Sequence, residues 1–350
     1  MCNFMRLNKK IRISITDGLL MLLVILCLFQ AELVSYLIQQ GSGQLRVLRG
    51  SQPIDEILVS NQYTEEQKYK IHLIQDVKAF SVDVLNFNPS RSYSSFYDQQ
   101  GKHLLRIVTA CEPYSFKEYE WQFPLVGKVS YKGYFDVFSA EREFKRLKNA
   151  GWDADVSPIT AWSTLGYFSD PVFSEMLKKS NGELIELIFH ELFHGTIYAP
   201  SEVESNENMA DFVAEKATLL YLKDKPREVE KYLSEKSSQL KLDSFALHCM
   251  RTLDSVYVRM SANTISDVMK ASEKKKVMGK MLEELKRNKE FPEKMKLRLS
   301  NRLIAGGNAF LMHYQRYSGL KDSLERVFFG KYEGNLPIMI KDWKMNIKSL

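Results

Sequence analysis

Apolar positions recur at helical intervals between residues 54 and 86. Ile57, Leu58, Tyr69, Leu73, Val77 and Val84 stand there among Glu, Gln and Lys, which predicts one amphipathic helix. The texture changes between about 104 and 168. Residues 104–108, 126–131, 134–138 and 160–167 are short, β-branched or aromatic runs broken by Gly and Pro, as strands are. One helix, over 140–149, interrupts them and stops at Gly151. From Pro171 onward helical spacing prevails. Charge alternates through 270–296, which predicts a solvated helical face. No internal repeat or low-complexity linker divides the chain, and the expected class is α+β, mostly helical with a small sheet.

The first residues follow a different rule. Arg6, Lys9, Lys10 and Arg12 precede an apolar run over 18–29. A positive head and about a dozen apolar residues read as a secretory signal, whereas a spanning helix wants about 20. Phe29 stands where a cleavage site wants a small residue, and Val24-Ile25-Leu26 before Cys27 lacks the small residues of a lipoprotein box. Export with retention as a signal anchor or lipid anchor is therefore preferred over clean cleavage or a cytoplasmic chain with an unusual first helix. The bulk of the chain would then face the periplasm or the extracytoplasmic side. The expected division is an anchor over 1–35 and one domain over 36–350. Within that domain a strand-rich part covers about 104–168, active-site helices about 172–222, and a helical part 223–350.

Composition narrows the class. A 45% hydrophobic fraction over 350 residues supports a sizeable core and excludes disordered, collagenous and multi-span membrane chains. Four cysteines exclude a disulfide scaffold, and Cys111 and Cys249 are expected as free thiols. A net charge of +6 is mild for this length, and no nucleic-acid partner is expected.

Histidine carries the chemistry. Only six are present, yet residues 184–198 read LIELIFHELFHGTIY. His190 and His194 are four apart and project from one helical face. Glu191 lies between them. This is HExxH, two imidazole ligands for zinc with a carboxylate as general base. The helix is apolar almost all round, so it is expected to be buried. Polar groups in such a place need partners or a metal. Glu207, in Asn206-Glu207-Asn208-Met209-Ala210-Asp211, is a candidate third ligand on a second helix that Ser201 or Ser205 could cap. Asp211, one turn later, could accept the spare N–H of a ligating histidine. Zn2+ is the expected cofactor and a peptide or protein the expected substrate, with the membrane met through the N-terminal segment.

HExxH followed by NExxAD resembles the gluzincin branch of zinc metallopeptidases. Further blocks are similar to the bacterial putative aminopeptidase family, usually exported lipoproteins. They are Gly43-Gln44-Leu45 with Gln52-Pro53-Ile54, Trp121-Gln122-Phe123-Pro124, Tyr131-Lys132-Gly133-Tyr134-Phe135, Ser163-Thr164-Leu165-Gly166-Tyr167-Phe168 with Asp170-Pro171, and Asn308-Ala309-Phe310-Leu311. The resemblance implies a zincin-like fold with His190, His194 and Glu207 on zinc and Glu191 as base. It also suggests a substrate strand formed by Trp162, Ser163, Thr164, Leu165 and Gly166. Tyr and His residues downstream are the candidates for the oxyanion donor, and Tyr317, which stands with Tyr314 beside the last of these blocks, is the one expected. The chain lacks the Gly-x-Met-Glu-Asn segment by which many gluzincin aminopeptidases hold a free amine. A membrane-anchored zinc endopeptidase, or a non-catalytic peptide-binding protein on the same scaffold, therefore stays open.

Overall fold

A computed structural model describes residues 31–123, 127–159, 169–199, 202–263, 265–315 and 320–346. The N-terminal signal, Cys27, the strand expected over 160–167 with Trp162 to Gly166, and Tyr317 lie outside these residues. The chain separates into two compact units, 1–47 and 48–350. In the first unit begins helix α1, Ala31–Gly50. Among the described residues no helix is long and apolar enough to cross a membrane.

In the second unit the pattern expected as one helix over 54–86 forms two, α2 (Ile54–Val59) and α3 (Glu65–Asp83). The break is imposed by Thr64. Its hydroxyl accepts from the Gln67 N–H while the Gln67 side chain accepts from the Thr64 N–H, a reciprocal cap that starts a new helix.

The sheets are small. Strand β1 (Gln52–Pro53) pairs antiparallel with β2 (Ser95–Tyr97), which pairs parallel with a later strand at Val172–Phe173. In a second sheet β3 (Leu105–Cys111) is central. The hairpin β4 (Trp121–Phe123) and β5 (Gly127–Val129) stands apart from it. Flanking β3 are β6 (Tyr131–Tyr134), with Arg106 opposite Tyr134, and β7 (Asp153–Ile159), with Leu105 opposite Ile159, both antiparallel. The sequence reading ran a strand through 134–138, but Asp136 ends it: its carboxylate accepts from the Ser139 N–H and starts α4 (Val137–Asn149). Strand β8 is Val172–Phe173.

From there the chain is helical: α5 (Asn181–His194), α6 (Val203–Leu222), α7 (Pro226–Ser261), α8 (Asp267–Arg287), α9 (Glu293–Gly306), α10 (Asn308–Gln315), α11 (Lys321–Tyr332) and α12 (Leu336–Asn346). The described residues are thus mostly helical with small sheets, an α+β chain. Helix α8 exposes most of its charges and buries Val277, Met281 and Leu285, but Lys274 turns inward to Asp153 and Lys296 of α9 is buried, so the face expected as solvated over 270–296 is only partly so.

Two apolar clusters organise the unit. In one, Ile71, Ile74 and Val77 of α3 and Leu184, Ile185, Ile188 and Phe189 of α5 are all buried where the two helices pack. Each such side chain contributes roughly 1.5–3 kcal/mol of burial. Phe80 meets Phe189 and Tyr221 edge-on at 6.1 and 5.2 Å, which joins α3, α5 and α6. In the other, Cys249, Leu253, Leu285, Leu303 and Phe310 pack α7 to α10 together. Cys111 and Cys249 are buried free thiols, as expected.

Candidate metal centre

Helix α5 begins at a fixed point. The Ser180 hydroxyl accepts from the Glu183 N–H, and the Glu183 carboxylate accepts from the Ser180 N–H. From there 3.6-residue periodicity puts Leu184, Ile185, Ile188, Phe189, Leu192 and Phe193 in the core. The remaining stripe carries His190, Glu191 and His194, with only His194 of the three fully buried.

The chain then reverses within a few residues, and a single side chain holds the reversal. Oδ1 of Asn206 accepts from the Ala199 N–H and Nδ2 donates to the Ala199 carbonyl, both at 2.8 Å. Asn206 is 1% exposed, so these bonds form away from water, where an unmade one costs about 1–3 kcal/mol. Thr196 adds a second tie, its hydroxyl accepting from the Asn88 N–H at 3.1 Å. The expected cap is not used. Glu202 is the N-cap of α6, with no side-chain bond, Ser205 lies inside the helix, and Ser201 is outside the described residues.

This reversal lays α6 across α5. Nε2 of His190 stands 3.1 Å from Nε2 of His194. The Glu207 carboxylate reaches both, Oε2 at 3.4 Å from His190 Nε2 and Oε1 at 3.4 Å from His194 Nε2. Two imidazole nitrogens and a carboxylate so close call for a proton or a cation among them, since bare acceptors repel. The spacing also suits a metal. Ligands about 2.0–2.1 Å from a tetrahedral ion stand about 3.3 Å from one another. His190, His194 and Glu207 could therefore hold a metal ion.

Beyond the triad, Nδ1 of His190 is 2.8 Å from Oδ1 of Asp211. That bond keeps the ring proton on Nδ1 and leaves Nε2 as donor to a metal. Nδ1 of His194 is buried without a hydrogen-bond partner among the described residues. The protein groups alone divide the two rings sharply. Burial opposes charge on His190, yet bonds to Asp211 and Glu207 outweigh it and lift its pKa to about 10. Burial and the neighbouring His190 charge push His194 down to about 4.

Residues 35–348 match the family described as "Putative aminopeptidase". The chain belongs to that family. No curated protein and no solved structure matches it.

This family member surrounds Glu191 with groups the sequence reading had not singled out for a role. Burial raises the Glu191 carboxyl to about 7, with the charges of Glu207, Asp170 and Asp211 adding to the rise and His190 opposing it. Asp170 is 3% exposed, and its carbonyl accepts from the Tyr93 N–H at 2.6 Å. Tyr93 is 1% exposed and sits at φ +63°, a backbone region that bulky residues rarely occupy. The Gln75 side chain donates to its carbonyl at 2.7 Å and holds it there. Burial, with the charges of Glu191 and Asp170, keeps the Tyr93 hydroxyl protonated well above its ordinary range. Asp170 was visible only as part of Asp170-Pro171, and nothing in the pattern near Tyr93 marked a strained position.

Proposed function

We propose that this chain is a zinc-dependent peptidase of zincin-like fold that acts as an aminopeptidase. The observation that carries the reading is the meeting of His190 Nε2, His194 Nε2 and the Glu207 carboxylate at 3.1–3.4 Å, beside Glu191 on the same helix. Three protein donors leave a fourth position for water, as in catalytic rather than structural zinc sites. Zinc bound there supplies a Lewis acid that polarises a peptide carbonyl and acidifies water.

Glu191 takes the proton of the attacking water and returns it to the departing amine. Burial raises its carboxyl and a zinc ion beside it would draw it back down, the opposed influences that suit a group which must both accept and release a proton. Asp211 is a positioning residue, holding the His190 ring by Nδ1. Tyr317 as oxyanion donor and 162–166 as the strand that receives the peptide complete the proposal, the first supported by its place beside the last of the similar blocks and the second by the sequence resemblance. Export, with anchoring through residues 1–35 and the metallopeptidase domain of 36–350 on the extracytoplasmic side, rests on the basic head and apolar run of the sequence.

The test is zinc content by elemental analysis, together with cleavage of a mixed peptide library before and after Glu191→Gln. Stoichiometric zinc with Glu191-dependent removal of N-terminal residues is expected. Glu191-dependent internal cuts would make the chain an endopeptidase. Zinc with no Glu191-dependent cleavage would leave only a peptide-binding role.

A further inference from the structure

Beyond Asp211 a cavity of about 500 Å³ opens between α6, α7, α10 and α11. Asn208 and Asp211, which follow Glu207 by one and four residues, line it on the α6 side, so it borders the metal triad. Across it stand Gln239 and Asp243 of α7.

Charge is plentiful here, and most of it is matched. Asp211 is spent on His190 at 2.8 Å. Lys321 bonds Glu215 at 2.8 Å, and Lys236 pairs with Glu186 while standing 3.9 Å from Glu215. Asp243 is different. Its hydrogen bond comes from a neutral group, Gln239 Nε2 at 2.7 Å, one helical turn earlier. Among the described residues no Lys, Arg or His comes within 4.0 Å of its carboxylate. It is half-buried, and burial pushes its carboxyl up. Lys236 and Lys321 act on it only from beyond 4.0 Å and are already paired with Glu186 and Glu215, so the cost of drawing this carboxylate partly out of water is not fully met, and an incoming cation offsets it.

We propose that Asp243 anchors a cationic group of the bound peptide, an ammonium or guanidinium, in this cavity and so determines specificity. The identity of the ligand as a peptide rests on the peptidase reading, but the anchor does not depend on turnover. Two sources share this chemistry: the free α-amine of the peptide and a Lys or Arg side chain. Gln239, one helical turn earlier on the same face, positions the carboxylate through one oxygen and leaves the other for the incoming cation.

Binding to the full-length, zinc-loaded Glu191→Gln protein tests this, measured by calorimetry so that no cleavage is needed. The probes are an unblocked pentapeptide with neutral side chains, its N-acetylated form, and N-acetylated forms with one Lys placed at each position in turn. At least one cationic peptide is expected to bind about tenfold more tightly than the acetylated neutral one. Asp243→Asn should remove that margin, and Asp243→Glu should keep it, with thermal midpoint and zinc content checked in each. A margin for the unblocked peptide assigns the α-amine, and a margin for a Lys peptide assigns a side chain. Equal affinities, no binding, a margin that survives Asp243→Asn, or preference for an acidic peptide, drawn by Lys179 which also lines the cavity, would overturn the proposal. The peptidase reading fails separately, by the absence of Glu191-dependent cleavage in the otherwise native chain.

Discussion

Oδ1 of Asp211 lies 2.8 Å from Nδ1 of His190, on the ring edge opposite the nitrogen that faces Glu207. A carboxylate in this place fixes both the tautomer and the angle of the imidazole. Asp211→Ala is expected to weaken zinc binding about 10–100-fold. Competition against a chromogenic chelator reads this directly. Unchanged affinity in a protein of unchanged thermal midpoint would remove Asp211 from the site.

Zinc bound only by the folded protein stabilises it. At a free concentration 100 times Kd the gain is about 2.7 kcal/mol, visible as a rise in Tm. Glu207→Gln replaces a charged ligand by a weak neutral one, so added zinc should leave its Tm nearly unmoved. An equal rise in both proteins would place the metal elsewhere.

Glu191 is not among the three residues that could hold the metal. Glu191→Gln should therefore keep stoichiometric zinc while turnover falls by about 10²–10⁴-fold, the usual worth of a general base. Elemental analysis and single-turnover assays check the two halves independently. Loss of zinc together with activity would make Glu191 a ligand or a structural group instead.

Asn206 holds both polar groups of Ala199 through the tight reversal between α5 and α6. Asn206→Ala leaves those groups unmet and should cost about 1–3 kcal/mol of stability in chemical denaturation. Because Glu207 is the next residue, zinc affinity should fall as well. A variant as stable as the native protein would show that water replaces the clamp at no cost.

The helix that carries His190, Glu191 and His194 was legible because burial and chemistry point the same way there. Phe189 and Phe193 face the core, and the polar residues left on the last two turns of α5 are His190, Glu191 and His194. Glu207 and Asp211 were legible because a one-turn spacing survives whatever the tertiary context. Strand β7 was not. Asp153, Asp155 and Pro158 argue against a strand by propensity, and only the fold supplies their partners. Asp153 bonds Lys274 at 2.5 Å and the Asn308 N–H at 2.7 Å, and Asp155 pairs with Arg302. The break between α2 and α3 was missed because apolar spacing continues across it and the reciprocal bonds of Thr64 and Gln67 decide the matter. Asp243 could not be found from sequence at all. Its significance is that no cation among the described residues comes within 4.0 Å of its carboxylate, which is a property of three-dimensional neighbours.

The Ala199–Asn206 clamp also bears on how the site acquires its metal. Both helices and the reversal between them are held by bonds that involve no metal ligand, so the backbone that carries the three donors does not depend on the proposed ion. Loading then resembles docking into a finished socket, unlike small zinc modules that fold around their ion. The apoprotein should accordingly survive chelation as a folded species and regain zinc without refolding. Exchange with the surroundings would be limited by ligand dissociation rather than by the opening of the chain.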